Sequence, residues 1–205
     1  MNLIQRIDFD VECLTYYFQR LFFLAEETSK LHPPEPDPIL IRKQYAVELA
    51  KQLITNNISM FIRPNMVGNV YSFLDFRLGE LCACLHHNRN LALIYRDIRA
   101  NNGLDQYHKY LIKIALLDLD SAMPSFKYLD GLRIVRNQFT HSGGHVSDKQ
   151  RKLFKNISGV TLVGSEIFVS DDFIWDSLNH AQTYLHAVAL AMDKLLRANT
   201  TNEDE

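Results

Sequence analysis

The chain has 205 residues, 47% of them hydrophobic and 22% charged, a composition typical of globular domains that excludes an intrinsically disordered chain. Its net charge of −2 excludes a global positive field that would attract nucleic acid or anionic lipid, so any contact with nucleic acid has to be local. Because no apolar run approaches the roughly 20 residues that cross a bilayer and Met1 to Phe9 lacks a signal-peptide core, we expect a cytoplasmic protein without membrane contact.

The first third of the chain is predicted to be helical around a proline-rich loop. From Phe9 to about Leu31, apolar residues recur at spacings of three and four, which indicates one helix face. The segment His32–Pro38 ends this helix as a stiff loop, because proline removes a backbone donor. A second helix is predicted over Ile39–Thr55. A loop then follows over Asn56–Asn65, with an extended stretch at Ile58–Arg63.

The middle of the chain contains the most strongly helical patterns. The stretch Val67–Cys84 is apolar on most of its circumference and is predicted to be a central helix. The polar stretch His86–Gly103 has no assignable pattern, and Leu104–Leu117 is again helical. Pro124 suits a first helical turn, so the next helix is predicted from there to about His141. It should stop at Gly143-Gly144, because glycine tolerates a left-handed cap.

The last third combines a short β-hairpin with a long helix. Two β-prone runs flank Gly164, which predicts a small hairpin near 159–169. The cluster Ser170–Asp172 resembles a helix cap, and the apolar residues after it repeat at spacings of four and three: Ile174, Leu178, Ala181, Leu185, Val188, Met192 and Leu195. We therefore predict a mostly α-helical antiparallel bundle, with residues 1–198 as a single domain and 199–205 as a frayed polar tail.

One helix, Pro124 to His141, concentrates the residues that suggest chemistry. At about 100° per residue, Leu132, Val135 and Phe139 share the side that should face the core. The opposite arc carries charged and hydrogen-bonding groups, namely Asp130, Arg133, Arg136, Asn137, Thr140 and His141. Arg136 and His141 lie roughly 140° apart at the margins of this arc. Arg133, Asn137 and His141 follow at four-residue steps and align more closely.

Arginine and histidine in proximity suit phosphate chemistry. Arginine presents a fork of donors that matches phosphate oxygens, and histidine titrates near neutral pH. In RNA the substrate's own 2′-hydroxyl can attack the phosphorus, so that histidine moves protons and arginine stabilises the developing charge. The alternative is structural: an exposed helix face with a solvated arginine and a terminal histidine that favours the negative end of the helix dipole.

The motif Arg136-Asn137-x-x-x-His141, followed by Ser142-Gly143-Gly144, resembles the signature of the HEPN superfamily. The helix Phe73–Cys82 and the segment Asp97–Lys113 are similar to the helices that precede the motif in HEPN-type proteins. This resemblance covers about residues 65 to 145. It implies a helical bundle that dimerises so that two motifs face each other across a cleft.

The resemblance further implies a metal-independent endoribonuclease that leaves a 2′,3′-cyclic phosphate and needs no cofactor. Arg136 and His141 map onto the catalytic positions of the motif, and Asn137 onto its supporting polar position. In a homodimer, one histidine can act as base and the other as acid. The first hypothesis is therefore a ribonuclease acting as a growth-arresting toxin or defence effector, with a cognate antitoxin or another protein as its partner.

Neighbouring residues complete the predicted site. Arg133, Thr140 and His145 are close enough to the motif to contact RNA, and Glu80 or Asp75 is the candidate for a further acidic group. The second hypothesis is a helical module that keeps the same shape and dimerises or binds RNA or protein without cutting. Loss of RNA cleavage on alanine substitution of the motif separates the two hypotheses.

A second cluster, Cys82-Ala83-Cys84-Leu85-His86-His87, contains four side chains able to bind a metal. On a helix only Cys82 and His86 share a face, so plain packing is favoured over a zinc site and no metal is predicted. The three cysteines do not form a disulfide framework either, which fits a reducing compartment.

Overall fold

The computed structural model describes residues 2–30 and 41–200, with side chains over 2–27 and 60–197. Within these ranges the chain is a mostly α-helical bundle with one small antiparallel hairpin, as the sequence predicts. The helices are α1 (Leu3–Lys30), α2 (Ile41–Arg89), α3 (Gly103–Lys113), α4 (Met123–Ser142), α5 (Arg151–Phe154) and α6 (Asp171–Thr200), and the strands are β1 (Val160–Val163) and β2 (Glu166–Val169). None of the helices in the described part of the chain is long and apolar enough to span a membrane.

The core lies between α2, α4 and α6, and α1 packs on α2 and α6. The apolar repeat of α6 that the sequence shows is buried from Ile174 to Met192. The face of α2 that meets it is equally apolar, with these residues buried: Met66, Val67, Val70, Phe73, Leu74, Leu78, Leu81, Cys82 and Leu85. Burial of these two complementary faces supplies the main driving force for folding.

Helix α1 begins six positions before the predicted Phe9. The Asn2 side chain accepts a hydrogen bond from the Gln5 backbone N–H (2.9 Å) and the Gln5 side chain accepts one from the Asn2 N–H (2.9 Å). This reciprocal pair caps the free donors of the first turn. Further along α1, buried Phe18 meets Trp175 of α6 edge-on, with ring centroids 6.0 Å apart. The predicted loop His32–Pro38 lies outside the described residues.

Helix α2 corrects the prediction for residues 56–65. The predicted loop Asn56–Asn65 is wrong, and so is its extended stretch Ile58–Arg63, because the backbone is helical without a break from Ile41 to Arg89 and Pro64 lies inside that helix. Proline weakens a helix locally, but tertiary packing overrides such propensities. Met66 is fully buried just after the proline, and the Arg63 guanidinium lies 2.8 Å from a carboxylate oxygen of Asp171 in α6.

The unassigned stretch His86–Gly103 contains the end of α2 and a single 3-10 turn at Tyr95–Asp97. Asn90 ends α2 with a left-handed backbone, φ +44°. Helix α3 then stops at Lys113, four residues before the predicted end at Leu117. The reason is Leu116, whose φ of +59° turns the chain out of the helix, a conformation that a bulky residue rarely adopts.

The predicted hairpin is confirmed, with Val160 paired to Val169 and Gly164 in its turn at φ +59°. The segment after α4 also pairs with β2, since the Ile167 N–H donates a hydrogen bond to the Gly144 carbonyl over 3.0 Å. The predicted cap of α6 is also confirmed, because the Ser170 hydroxyl accepts from the Phe173 N–H at 3.1 Å. Helix α6 continues to Thr200, two residues into the predicted frayed tail, and 201–205 lie outside the described residues.

His108 of α3 makes folding stability depend on pH. Its Nδ1 lies 2.8 Å from the Tyr184 hydroxyl and its ring stacks on Phe126 at 4.0 Å. Burial lowers the pKa of His108 below its usual value, and nearby Asp105 opposes this weakly. Below about pH 6.5 the unfolded chain therefore binds a proton more readily than the folded chain does, and the free energy of unfolding falls.

Urea unfolding at several pH values measures this effect. Below about pH 6.5, the acid limb of the plot of the free energy of unfolding against pH should be flatter in His108→Phe than in the wild type. A variant at exposed His87 should match the wild type. An equal acid limb in all three proteins would refute this role for His108.

Candidate active site

The end of α4 is fixed by two glycines, as predicted. Gly143, at φ +57°, donates its N–H to the Phe139 carbonyl (3.0 Å), and Gly144 donates to the Gln138 carbonyl (3.2 Å). These bonds satisfy carbonyls that the helix end leaves free. A Cβ atom at Gly144, whose φ is +90°, would lie 3.2 Å from the Phe139 ring. The chain therefore leaves α4 in one defined direction, directly after the candidate histidine.

The two faces of α4 are arranged as the helical projection predicts. Leu132 and Val135 are fully buried and Phe139 is half-buried, which confirms the core side. A residue absent from the prediction, Gln138, is also buried, and its side-chain amide donates to the His145 carbonyl. This bond ties the segment after the helix back to its last turn.

The exposed side of α4 borders a groove of about 420 Å³, called here the α4–α5 groove. Its lining residues come from the two helices and the turn before α5: Arg133, Ile134, Asn137, Gln138, His141, Ser142, Gln150 and Leu153. The four-residue series Arg133, Asn137 and His141 thus lies along one wall, as predicted. The His141 side chain is exposed, and no hydrogen bond joins it to another described residue. Its imidazole is free to meet a ligand.

Arg136 is not among the lining residues of this groove and points towards α2. Its guanidinium carbon lies 5.1 Å from the centroid of the Tyr71 ring, a cation–π distance. Its Nη1 donates to the side-chain oxygen of Asn137 over 3.0 Å. Asn137 therefore links the two halves of the motif, because it touches Arg136 and lines the groove that holds His141.

Charged groups of α2 and α4 surround the Tyr71 hydroxyl. The pKa of Tyr71 is raised by burial first and by Asp75 second, while Arg133 and Arg136 oppose the rise. Arg133 in turn donates to an Asp130 carboxylate oxygen over 2.8 Å. Of the two predicted acidic candidates, Asp75 is therefore the one whose charge acts on Tyr71 together with those of Arg133 and Arg136. Tyr71 itself has no signal in the sequence, because its contact with the motif depends on how α2 packs on α4.

The remaining predicted site residues are Thr140, His145 and Glu80, and none of them lines the groove. The Thr140 hydroxyl is exposed and donates to the Arg136 carbonyl one turn earlier, at 2.9 Å. His145 is exposed and pairs through its backbone with Glu166 of β2. Glu80 makes its described contacts at the α1–α2 interface, with Arg77 and, over 3.4 Å, with Arg6. These contacts join Glu80 to α1 rather than to α4.

The cysteine–histidine cluster shows the packing role that the helical geometry favours. Cys82 is buried, and burial raises the pKa of its thiol to about 12. The nearest partner of the His86 Nδ1 is the Leu93 carbonyl, at 3.3 Å. Within the part of the chain that the structure describes, no three histidine, cysteine, aspartate or glutamate residues are placed to hold a metal ion. Cys13, Cys82 and Cys84 are all free thiols.

Comparison of the chain with protein-family models, with curated proteins and with solved structures finds no match. The functional argument therefore rests on the motif residues and their surroundings.

Proposed function

We propose that the protein is a metal-independent endoribonuclease of the HEPN type, in which the 2′-hydroxyl of RNA attacks the adjacent phosphorus. The observation that carries the proposal is the unpartnered, exposed imidazole of His141, which shares one groove with Arg133 and Asn137. An imidazole that is free to move a proton, beside donors suited to phosphate oxygens, is what this reaction requires.

The chemistry assigns one task to each group. His141 takes the proton from the 2′-hydroxyl as the 2′-oxygen bonds to phosphorus. A second His141, from another copy of the chain, gives a proton to the departing 5′-oxygen. The products are a 2′,3′-cyclic phosphate and a free 5′-hydroxyl. Arg136 stabilises the charge that builds on the non-bridging oxygens.

The placement of Arg136 supports a dimer as the active form. Within one copy, the Arg136 guanidinium packs on the Tyr71 ring and does not line the α4–α5 groove. A second copy that brings its α4 end against the first would place both arginines and both histidines around a single phosphate. We therefore propose a homodimer as the active form. A role as a toxin or defence effector, with a cognate antitoxin, is part of this proposal.

Incubation of the purified protein with mixed-sequence RNA in the presence of EDTA tests the proposal. We expect cutting that the chelator does not stop, and a loss of at least about a hundredfold in His141→Ala. His87 is a matched control, because it is also an exposed histidine in the last turn of a helix. His87→Ala should cut RNA at the wild-type rate. Cutting that persists in His141→Ala, or the absence of cutting by the wild type, would reject the enzyme.

The second candidate function is a module that binds RNA or protein without cutting. The net charge of −2 favours such a module with a protein as its ligand, because RNA binding draws much of its strength from phosphate contacts. The same assay separates the two functions, since this module would leave the RNA intact from the start.

A further inference from the structure

The segment 149–155, which contains α5, is the most basic stretch near the candidate site. Four of the 22 lysine and arginine residues of the chain lie in these seven positions, which contain no acidic residue: Lys149, Arg151, Lys152 and Lys155. The three lysines are exposed. A chain with a net charge of −2 thus has a local concentration of positive charge.

The basic segment is anchored beside α4. Phe154 is buried, and Ile157, two residues beyond the segment, packs on α4, since a Cβ atom at Gly131 would be in van der Waals contact with it at 3.6 Å. Arg151 donates to the carbonyl of Gly164 in the hairpin turn over 2.8 Å. The hairpin and α4 together therefore fix the position of α5.

Two of the basic residues are chain neighbours of residues that line the α4–α5 groove. Gln150 and Leu153 line the groove that holds His141, and Lys149 and Lys152 each directly precede one of these two residues. Leu153 is 49% exposed, so it presents an apolar surface where a nucleotide base can rest. An amide and an apolar side chain thus line the groove, and a lysine precedes each of them in the chain.

We infer that the segment 149–155 is a binding site for the phosphates of single-stranded RNA, next to the phosphate that is cut. The inference rests on the proposed function and adds the surface that holds the strand. Exposed lysines are flexible point charges that fit successive phosphates without reading sequence. A single strand fits better than a duplex, because its bases are free to meet Leu153. An acidic protein is the competing ligand.

Binding of fluorescein-labelled oligouridine to the His141→Ala protein tests the site, because this variant holds RNA without cutting it. We expect Lys149→Gln/Lys152→Gln to weaken binding at low salt. The slope of log affinity against log salt should also become shallower by about 1.4, or about 0.7 for each phosphate that a lysine no longer neutralises. The matched control is Lys113→Gln/Lys194→Gln, which removes two exposed lysines whose chain neighbours do not line the groove. The control should bind like its parent.

The outcomes separate this inference from the proposed function. Unchanged affinity and slope in Lys149→Gln/Lys152→Gln, or an equal loss in the control pair, overturns the RNA site even if the wild type cuts RNA. If Lys149→Gln/Lys152→Gln weakens the binding of polyglutamate but not that of oligouridine, the RNA site is overturned in favour of a site for an acidic protein. Binding that depends on Lys149 and Lys152 in a protein that never cuts RNA would support the site and reject the ribonuclease.

Discussion

Replacing Arg136 with lysine should lower the rate of RNA cleavage by about a hundredfold to a thousandfold, the usual cost of losing a donor to charge on an oxyanion. The guanidinium lies over the Tyr71 ring and donates to Asn137 while its other nitrogens stay available. Lysine keeps the charge, but it has no planar fork that can hold both contacts and a phosphate oxygen together. Single-turnover cleavage of a labelled RNA measures the effect.

The chain supplies a matched control for this substitution. Arg96 also lies over a tyrosine, Tyr95, at 5.5 Å from the ring centroid, and it donates to that tyrosine's hydroxyl over 3.1 Å. Arg96→Lys should therefore alter a similar pair without changing cleavage. Equal rates for Arg136→Lys and wild type would show that Arg136 only packs on Tyr71. Thermal unfolding of both variants checks that any loss of rate is not a loss of fold.

Local periodicity is sufficient to predict most of the helices and the hairpin. The repeat in α6 and the glycine stop after α4 are properties of adjacent residues, so they are visible without a structure. The errors arise where long-range packing or an unusual backbone decides the outcome. Pro64 lies inside α2 despite its local penalty, and Leu116 ends α3 in a conformation that glycine or asparagine normally adopts.

The candidate site divides in the same way. The alignment of Arg133, Asn137 and His141 follows from helical geometry alone, and the groove contains all three. The contact of Tyr71 with Arg136 joins residues of two helices that are far apart in sequence, so no local pattern signals it. Glu80 is a second example, since its partner on α1, Arg6, could not be inferred from its place on α2.

Replacing Arg77 with alanine should lower the free energy of unfolding by about 2 to 4 kcal/mol. Arg77 is buried, with 7% of its side chain exposed, and it pairs with Asp10 of α1 and with Glu80. Its loss leaves two carboxylates side by side at the α1–α2 interface, with Arg6 as the remaining described cation. Because these carboxylates are 29% and 32% exposed, water offsets part of the cost, which keeps it below that of a fully buried pair.

Urea unfolding of Arg77→Ala beside Arg197→Ala measures this difference. Arg197 pairs with Asp193 over 2.9 Å, but its side chain is 79% exposed, so its removal should change the free energy of unfolding by less than about 0.5 kcal/mol. Equal effects of the two substitutions would mean that the pairing of Arg77 with Asp10 and Glu80 adds no more stability than a surface ion pair. Because Arg77 lies on the side of α2 that faces α1, Arg77→Ala should cut RNA at the wild-type rate under conditions in which the variant is folded. A loss of cleavage in the folded variant would instead connect the α1–α2 ion cluster to the site on α4.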